Sequence, residues 1–289
     1  MPKSPYIFIL LLVLVATMTT AAQRPQTPAK PTTPPQTPKA PTGNPQTARP
    51  QQATIGPQSH IRPVADGYRF PNGQTLHYTA EWRLWTAGSA TLRMDAVGAE
   101  QRVTGSADSA GFVALLYKVA DRFEAYFDRQ TFCSSRLTKH TEEGRHRRDT
   151  QIRYDYVRRK AVLDEKNLKS GETKHQEEDI PRCVTDVISG IFYVGSLPLA
   201  PGNSYIFPLN DGGKTVDVRA HVEAREEIKT DVGTFKTVRV QPEAESGVLK
   251  NRGRIWVWYT DDAAHIPIQM RARLFWGTLT FRLNRIERQ

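Results

Sequence analysis

Two adjacent acids, Asp261 and Asp262, are the first candidates for chemistry in this chain of 289 residues. A pair of carboxylates could act as general acid and base, or could hold a cation. Both acids lie in the short polar stretch 260–264, which separates two segments of alternating apolar residues and is typical of a hairpin loop. Acids in such loops more often accept hydrogen bonds from the N–H groups of the turn. We therefore favour a turn for these residues, and we keep a pair of acids in a cleft as the alternative.

Cys133 and Cys183 are the two cysteines of the chain and lie 50 residues apart. In an exported protein, two cysteines are the number needed for one disulfide. If unstrained, a disulfide that closes such a loop stabilises the fold by roughly 4 kcal/mol. Two buried free thiols are the alternative. A catalytic cysteine is not favoured, because neither residue has a histidine beside it in the sequence and exported thiols are oxidised.

The histidines do not have the spacing of a metal site. The chain contains no HExxH motif and no paired Cys/His motif, and it also lacks the GxSxG, P-loop and GxGxxG motifs. The sequence therefore predicts no catalytic residue, no metal ligand and no cofactor, and it favours a protein that is not an enzyme. The seven histidines are His60, His77, His140, His146, His175, His221 and His265.

Arginines and tyrosines are concentrated in one predicted hairpin, between residues 145 and 160. Such a surface could bind an anionic glycan, lipid head groups or nucleic acid. The alternative is a solvated hairpin face whose charges prevent edge pairing, and we favour it because nearby acids dilute the cluster. The candidate basic patch consists of Arg145, Arg147, Arg148, Arg158 and Arg159.

The net charge of +10 is spread unevenly along the chain. Residues 1–63 contain six Lys or Arg and no acid, so the remaining 226 residues hold 34 basic and 30 acidic groups. The body is thus only mildly basic. We therefore expect no nucleic acid as a partner.

Residues 1–22 have the features of a secretory signal peptide. Lys3 supplies a positive charge, the run 7–18 is apolar, and small residues precede a cleavage point near Ala22. The apolar run is shorter than the roughly 20 residues that a membrane-spanning helix needs. We expect export to the periplasm or secretion from a bacterium, with no transmembrane span after cleavage.

Residues 23–63 form a linker rich in Pro, Thr and Gln, which contains 11 of the 20 prolines. Large apolar side chains are almost absent, so we expect a disordered, extended segment. It could act as a basic tether near an anionic surface, but a solvated tail without a specific partner is the favoured interpretation.

Residues 64–289 are predicted to form a single β-rich domain, because apolar and polar residues alternate through most of this part. The stretch 111–119 is ambiguous between helix and strand. The stretch 181–198 has helical spacing, with Thr185 or Asp186 as a cap and Gly195 as an end. We predict an all-β, mainly antiparallel fold, either barrel-like or a strongly curved sheet, with one short helix. In the clearest strand, Ile266, Ile268, Met270, Ala272 and Leu274 face the core and Pro267, Gln269, Arg271 and Arg273 face water.

Several blocks of the sequence also resemble a known family. They include IPRCVTDVISGIFYV from residue 180, REEIKTDVGTFKTVRVQP from residue 225 and RIWVWYTDDAAHIPIQMRARLFWGTLTFRL from residue 254. Over about residues 70–287 the chain resembles the bacterial exported family named domain of unknown function 3108. The resemblance implies a periplasmic, mostly antiparallel β protein, akin to envelope proteins that bind or position lipids or polysaccharides. It brings no catalytic residues.

Together these observations predict an exported periplasmic or cell-envelope β protein without enzymatic activity. We expect it to bind or position a lipid, a glycan such as a polysaccharide, or an envelope partner. A structural or protein-interaction module without a small ligand is the alternative. An envelope hydrolase that uses Asp261 and Asp262 is the third and least favoured hypothesis.

Overall fold

The computed structural model describes residues 60–83, 85–210, 213–244, 253–274 and 277–288. The predicted signal peptide and the linker up to residue 59 lie outside the described residues. So do residues 84, 211–212, 245–252, 275–276 and 289.

Strands make up most of the described chain, with two short helices among them. Their bounds are β1 (Gln74–Trp82), β2 (Trp85–Val97), β3 (Glu100–Ser109), α1 (Gly111–Leu116), β4 (Ala120–Asp128), β5 (Ser134–Glu143), β6 (His146–Asp155), β7 (Lys160–Asn167), β8 (Thr173–Asp179), β9 (Thr185–Asp186), α2 (Val187–Gly195), β10 (Ser204–Asn210), β11 (Thr215–Thr230), β12 (Gly233–Ala244), β13 (Arg254–Thr260), β14 (Pro267–Leu274) and β15 (Gly277–Arg288). The predicted all-β fold is confirmed. The single predicted helix was an undercount, because the ambiguous stretch 111–119 contains α1.

All fifteen strands belong to one sheet, in the order β8-β7-β6-β5-β4-β3-β2-β1-β15-β14-β13-β12-β11-β10-β9. Neighbouring strands are antiparallel except for β9 and β10. The first and last strands, β1 and β15, pair in the middle of the sheet. Its two edges are formed by β8 and β9, from the middle of the chain.

The sheet is not closed into a barrel by strand pairing, but side chains link the two parts near its edges. Gln176 Nε2 on β8 donates to the Gly213 carbonyl at 2.9 Å. The Thr215 N–H at the start of β11 donates to Glu178 Oε1 at 2.7 Å. The predicted strongly curved, barrel-like sheet therefore takes the form of an open sheet whose distant parts meet through side chains.

Apolar alternation explains which face of each strand enters the core. In β1, Leu76, Tyr78 and Ala80 are buried, as the pattern predicts. In β14 the predicted apolar face is buried too, but Pro267 and Gln269, which were expected in water, are also buried, and Gln269 is only 1% exposed. The reason is that Gln269 pairs across the strands with the buried Trp258, so the second face is also covered there.

Helix α2 lies in the interior and is buried along almost its whole length. Asp186 is its N-cap, as predicted, and Asp186 Oδ1 accepts the N–H groups of Ile188 at 2.8 Å and Ser189 at 2.9 Å. Aromatic rings fill the space around the helix: Tyr193 packs edge-on against Phe132 and Phe207. The core is therefore occupied by side chains and by a helix.

A disulfide joins Cys133, just before β5, to Cys183, just before β9. Next to it, the Ser134 hydroxyl donates to Asp186 Oδ2 at 2.6 Å and accepts the Asp186 N–H at 2.8 Å. The disulfide and this buried network together fix the base of α2 to β5.

The final residues of the predicted linker contact the body. The His60 N–H donates to the Ile206 carbonyl at 3.2 Å, and the Arg62 N–H donates to the Tyr193 hydroxyl at 2.9 Å. The contacts of the described chain thus include residues 60–63, the last residues of the predicted linker.

Candidate binding cleft

A cleft of about 750 Å³ runs across strands β4 to β8. Its lining is dominated by charged and polar side chains of both signs. The lining residues are Thr104, Arg122, Phe123, Glu124, Thr138, Lys139, His140, Asp149, Thr150, Gln151, Asp164, Glu165, Lys166, Thr173, Lys174 and His175. An open surface of this kind offers many hydrogen-bond donors and acceptors to a polar ligand.

Strand register puts two rows of the lining residues on one face, while the row between them, with Lys139, Thr150 and Glu165, points the other way. Thr138 on β5 pairs with Gln151 on β6, which pairs with Asp164 on β7. Directly paired residues share a face of the sheet, and the adjacent residues point the other way. The adjacent residues Leu137 and Ile152 are buried in the core. The alternation that builds the core therefore also builds the polar cleft.

Two histidine–aspartate pairs bridge neighbouring strands in the cleft. His140 Nδ1 lies 2.6 Å from Asp149 Oδ1, and His175 Nδ1 lies 2.7 Å from Asp164 Oδ1. Arg153 also donates to Asp164 at 2.8 Å. The hydrogen bond from His175, with these positive charges, lowers the pKa of Asp164, so that carboxyl is ionised at neutral pH. Such pairs orient the imidazole rings. His140 Nε2 also lies 3.6 Å from Glu142 Oε1.

A second pair of titratable residues, Asp121 and Glu143, lies on the inner side of the sheet. Asp121 is buried, and its Oδ1 accepts the Glu142 N–H at 3.0 Å. Burial raises the pKa of Asp121 to about 6. Burial, followed by repulsion from Asp121, raises the pKa of Glu143 to about 8. The two carboxyls share a hydrogen bond, so one of them keeps its proton at neutral pH.

Sequence reasoning missed this acid pair, although the signal was present. Asp121 occupies the same alternating face as Phe123, Ala125 and Phe127, all of which are buried. An acid at an inward position of an apolar strand indicates a buried carboxyl that needs a partner. Glu143 could not have been identified as that partner, because the pairing depends on the register between β4 and β5.

The candidate acids Asp261 and Asp262 lie at the β13–β14 turn. Asp262 Oδ1 accepts hydrogen bonds from the N–H groups of Ala264 at 2.9 Å and His265 at 3.2 Å, so it pairs the free N–H groups of the turn. Asp261 Oδ2 pairs with Arg225 at 2.8 Å. These contacts agree with the favoured turn, and neither acid lines the cleft.

The structure splits the predicted basic patch into two groups. Arg145, Arg147 and Arg148 lie at the start of β6, and Arg158 and Arg159 lie in the turn after its end. A strand of 10 residues separates the groups by about 30 Å. The five arginines therefore do not form one binding surface.

Within the described ranges, no group of three or more His, Cys, Asp or Glu side chains is arranged to hold a metal ion. No helix of the described residues is long and apolar enough to span a bilayer.

Solved structures of other proteins have a similar fold. One similar solved structure is a β-barrel-like protein of domain of unknown function DUF1849 from Brucella abortus, with 9% identity and a TM-score of 0.56 over 76% of this chain and 99% of that chain. Another is a protein with a YmcC-like fold from Bacteroides fragilis, with 8% identity and a TM-score of 0.34 over 76% of this chain and 98% of that chain. At these identities the first likeness shows the fold alone, and the second is too distant to carry an argument.

No curated protein matches the sequence. Residues 77–284 match the family model of DUF3108, described as protein of unknown function. The match spans most of the chain and nearly all of the described strands. The chain therefore belongs to the DUF3108 family.

Proposed function

We propose that this protein is a non-enzymatic binding protein of the bacterial cell envelope, and that it holds a glycan in the cleft across β4 to β8. The observation that carries the proposal is a polar cleft of about 750 Å³ outside a core that is filled by side chains. Sugar hydroxyls both donate and accept hydrogen bonds, so a lining with donors and acceptors of both signs suits them.

The charged and polar residue types of the lining favour a glycan over an acyl chain, although carbon atoms of these side chains supply most of the exposed cleft surface. Sites for apolar ligands are lined mainly by apolar side chains. On the strands of the cleft, the large apolar residues Leu137, Ile152 and Leu163 are buried in the core instead, and Phe123 is the large apolar residue that lines the cleft. Of the two ligand classes expected from the sequence, the geometry therefore favours the polysaccharide over the lipid.

Location in the envelope is part of this proposal. The features of residues 1–22 support export. The disulfide between Cys133 and Cys183 supports an oxidising compartment, since such bonds persist mainly in exported proteins.

Oligosaccharides released from the envelope of the host would be titrated into the purified body and followed by calorimetry. We expect Gln151→Ala to weaken binding about fivefold, the loss of roughly one hydrogen bond. Gln241→Ala on β12 is the matched control, because Gln241 does not line the cleft. Equal affinities for the two variants, or an acyl lipid found by native mass spectrometry of protein isolated from its host, would reject the proposal.

A further inference from the structure

Helix α1 turns its apolar face towards water. Phe112, Leu115 and Leu116 are spaced i, i+3 and i+4, which puts them on one face of the helix. Their exposed fractions are 69%, 84% and 66%, while Val113 on the other side is 4% exposed. A surface helix normally packs such an apolar face against the core. Here the most apolar face of the helix is the one that protrudes.

The protruding helix is held firmly at both ends. The Ala110 N–H donates to the Ala87 carbonyl at 2.8 Å. The Ser109 N–H donates to the Val119 carbonyl at 3.0 Å, and the Val119 N–H donates back to the Ser109 hydroxyl at 2.8 Å. The three exposed apolar side chains therefore sit on a fixed support.

The turn between β5 and β6 lies directly beside this helix. The Gly144 N–H donates to the Lys118 carbonyl at 2.8 Å. The Tyr117 ring lies so close to Gly144 that a Cβ there would stand 2.7 Å from it, so the turn packs tightly against the chain after α1. This contact brings the exposed Arg145 and Arg147, which follow Gly144 in the chain, close to the C-terminal end of the helix.

The surface around α1 is positive. Lys118 and Arg147 share one acid, Glu142, at 3.3 and 3.8 Å. Among the residues that the structure describes, no carboxylate lies within ion-pair distance of Arg145. The Asp121–Glu143 pair adds one negative charge at neutral pH, because burial raises the pKa of Glu143 to about 8 and Asp121 is ionised.

We propose that this tip, formed by Phe112, Leu115, Leu116, Lys118, Arg145 and Arg147, docks the protein on an anionic lipid bilayer. The apolar side chains enter the boundary between head groups and acyl chains, and the cations face the lipid phosphates. This proposal is independent of the glycan cleft.

A bilayer fits this surface better than a protein partner does. A stable protein interface buries roughly 800 Å² on each side, far more than three side chains on a short helix provide. A small apolar protrusion ringed by cations is sufficient for reversible membrane binding, because insertion and charge attraction add together. The positive tip is complementary to anionic head groups.

Co-sedimentation with vesicles tests the proposal on the purified protein. Vesicles of phosphatidylcholine alone would be compared with vesicles that contain roughly a third phosphatidylglycerol. We expect binding to the anionic vesicles and a loss of binding when salt is raised. Each cation near such a surface contributes about fivefold to partitioning, so Arg145→Glu should reduce binding by roughly 20-fold.

Substitution of the three exposed apolar residues is the second test of the proposal. The triple variant F112S/L115S/L116S removes only exposed side chains, so the fold is retained, and we expect at least about a tenfold loss of vesicle binding. Val157→Ser is the matched apolar control, since Val157 is 96% exposed in the turn after β6. Arg159→Glu is the matched charge control in that same turn.

Retention of vesicle binding by both the triple variant and Arg145→Glu would overturn the proposal. So would equal loss in the two controls, or no binding of the wild-type protein to anionic vesicles. A photo-crosslinker at position 115 that captures a protein instead of lipid in host envelopes would also overturn it, in favour of a protein partner.

Discussion

Asp121 and Glu143 make the stability of the protein depend on pH. Both carboxyls have raised pKa values in the folded state, so the folded chain keeps a proton that the unfolded chain releases. Their contribution is therefore complete below about pH 4 and is lost as the pH rises to about 8. This direction is opposite to that of a carboxyl in a salt bridge.

We expect Glu143→Gln to leave stability near pH 4 almost unchanged and to raise it by about 2 kcal/mol near pH 8, because the variant carries no charge to bury. Urea unfolding at the two pH values measures the difference from wild type. Glu172→Gln, at an exposed position, is the control. Equal gains at both pH values would show that the carboxyl pair is not the cause.

Asp186 is the second residue on which the interior depends. It is fully buried, and its carboxylate accepts hydrogen bonds from Ser134 Oγ and Ser189 Oγ as well as from two N–H groups of α2. We expect Asp186→Ala to destabilise the fold by about 3 kcal/mol, because it removes the helix cap and leaves several buried hydrogen-bond donors without an acceptor. Urea unfolding checks this. Asp128→Ala removes a comparable cap from the surface turn at 128–131, and it should cost only about 1 kcal/mol.

At the scale of elements, the disulfide and α2 act as one unit. The bond closes a loop of 50 residues, which runs from β5 through β8 to the base of the helix. We expect Cys133→Ser/Cys183→Ser to lower the free energy of unfolding by about 4 kcal/mol. Chemical denaturation of wild type and the double variant measures this value. A loss below about 1 kcal/mol would mean that the buried Asp186 network holds the helix without the bond.

The sequence predicted strands well where one face is apolar and the other polar, as in β1 and β14. It also predicted α2 and its cap, since Asp186 precedes a run of apolar residues at helical spacing. It left α1 undecided, because a six-residue segment whose apolar face is exposed does not have the pattern of a core helix. The cleft and the partner of Asp121 could not be predicted, because both depend on the exact register between neighbouring strands, which alternation alone does not fix.

At the scale of the whole molecule, the strand order is an antiparallel meander, apart from the short β9. The chain enters this meander in the middle of the sheet, at β1, instead of at one edge. Gln74 at the start of β1 pairs with Arg288 at the end of β15, so these two positions are neighbours. A circular permutant that opens between Pro181 and Arg182 would pair nearly every strand with its neighbour in sequence; it joins residue 288 to residue 60 through a Gly/Ser linker long enough to reach residue 60, which lies against Ile206 of β10.

We expect this permutant to keep the fold and to refold at least about tenfold faster, because local pairing lowers the entropy cost of the folding barrier. Stopped-flow refolding by tryptophan fluorescence measures the rates. A permutant opened at 169–170, within the β7–β8 turn, is a suitable comparison. A native-like permutant that refolds no faster than wild type would show that the β1–β15 pairing is not the slow step.

The central pairing of β1 with β15 also means that β1 must wait for the end of synthesis before it can pair fully. Thr79 and Asn284, which touch across these strands, are 205 residues apart. A chain that leaves the ribosome or a translocon N-terminus first must therefore present an unsatisfied edge on β1 for almost the whole of its passage. Unpaired edges recruit other chains, so the growing protein needs either rapid delivery or a holding chaperone until β15 arrives.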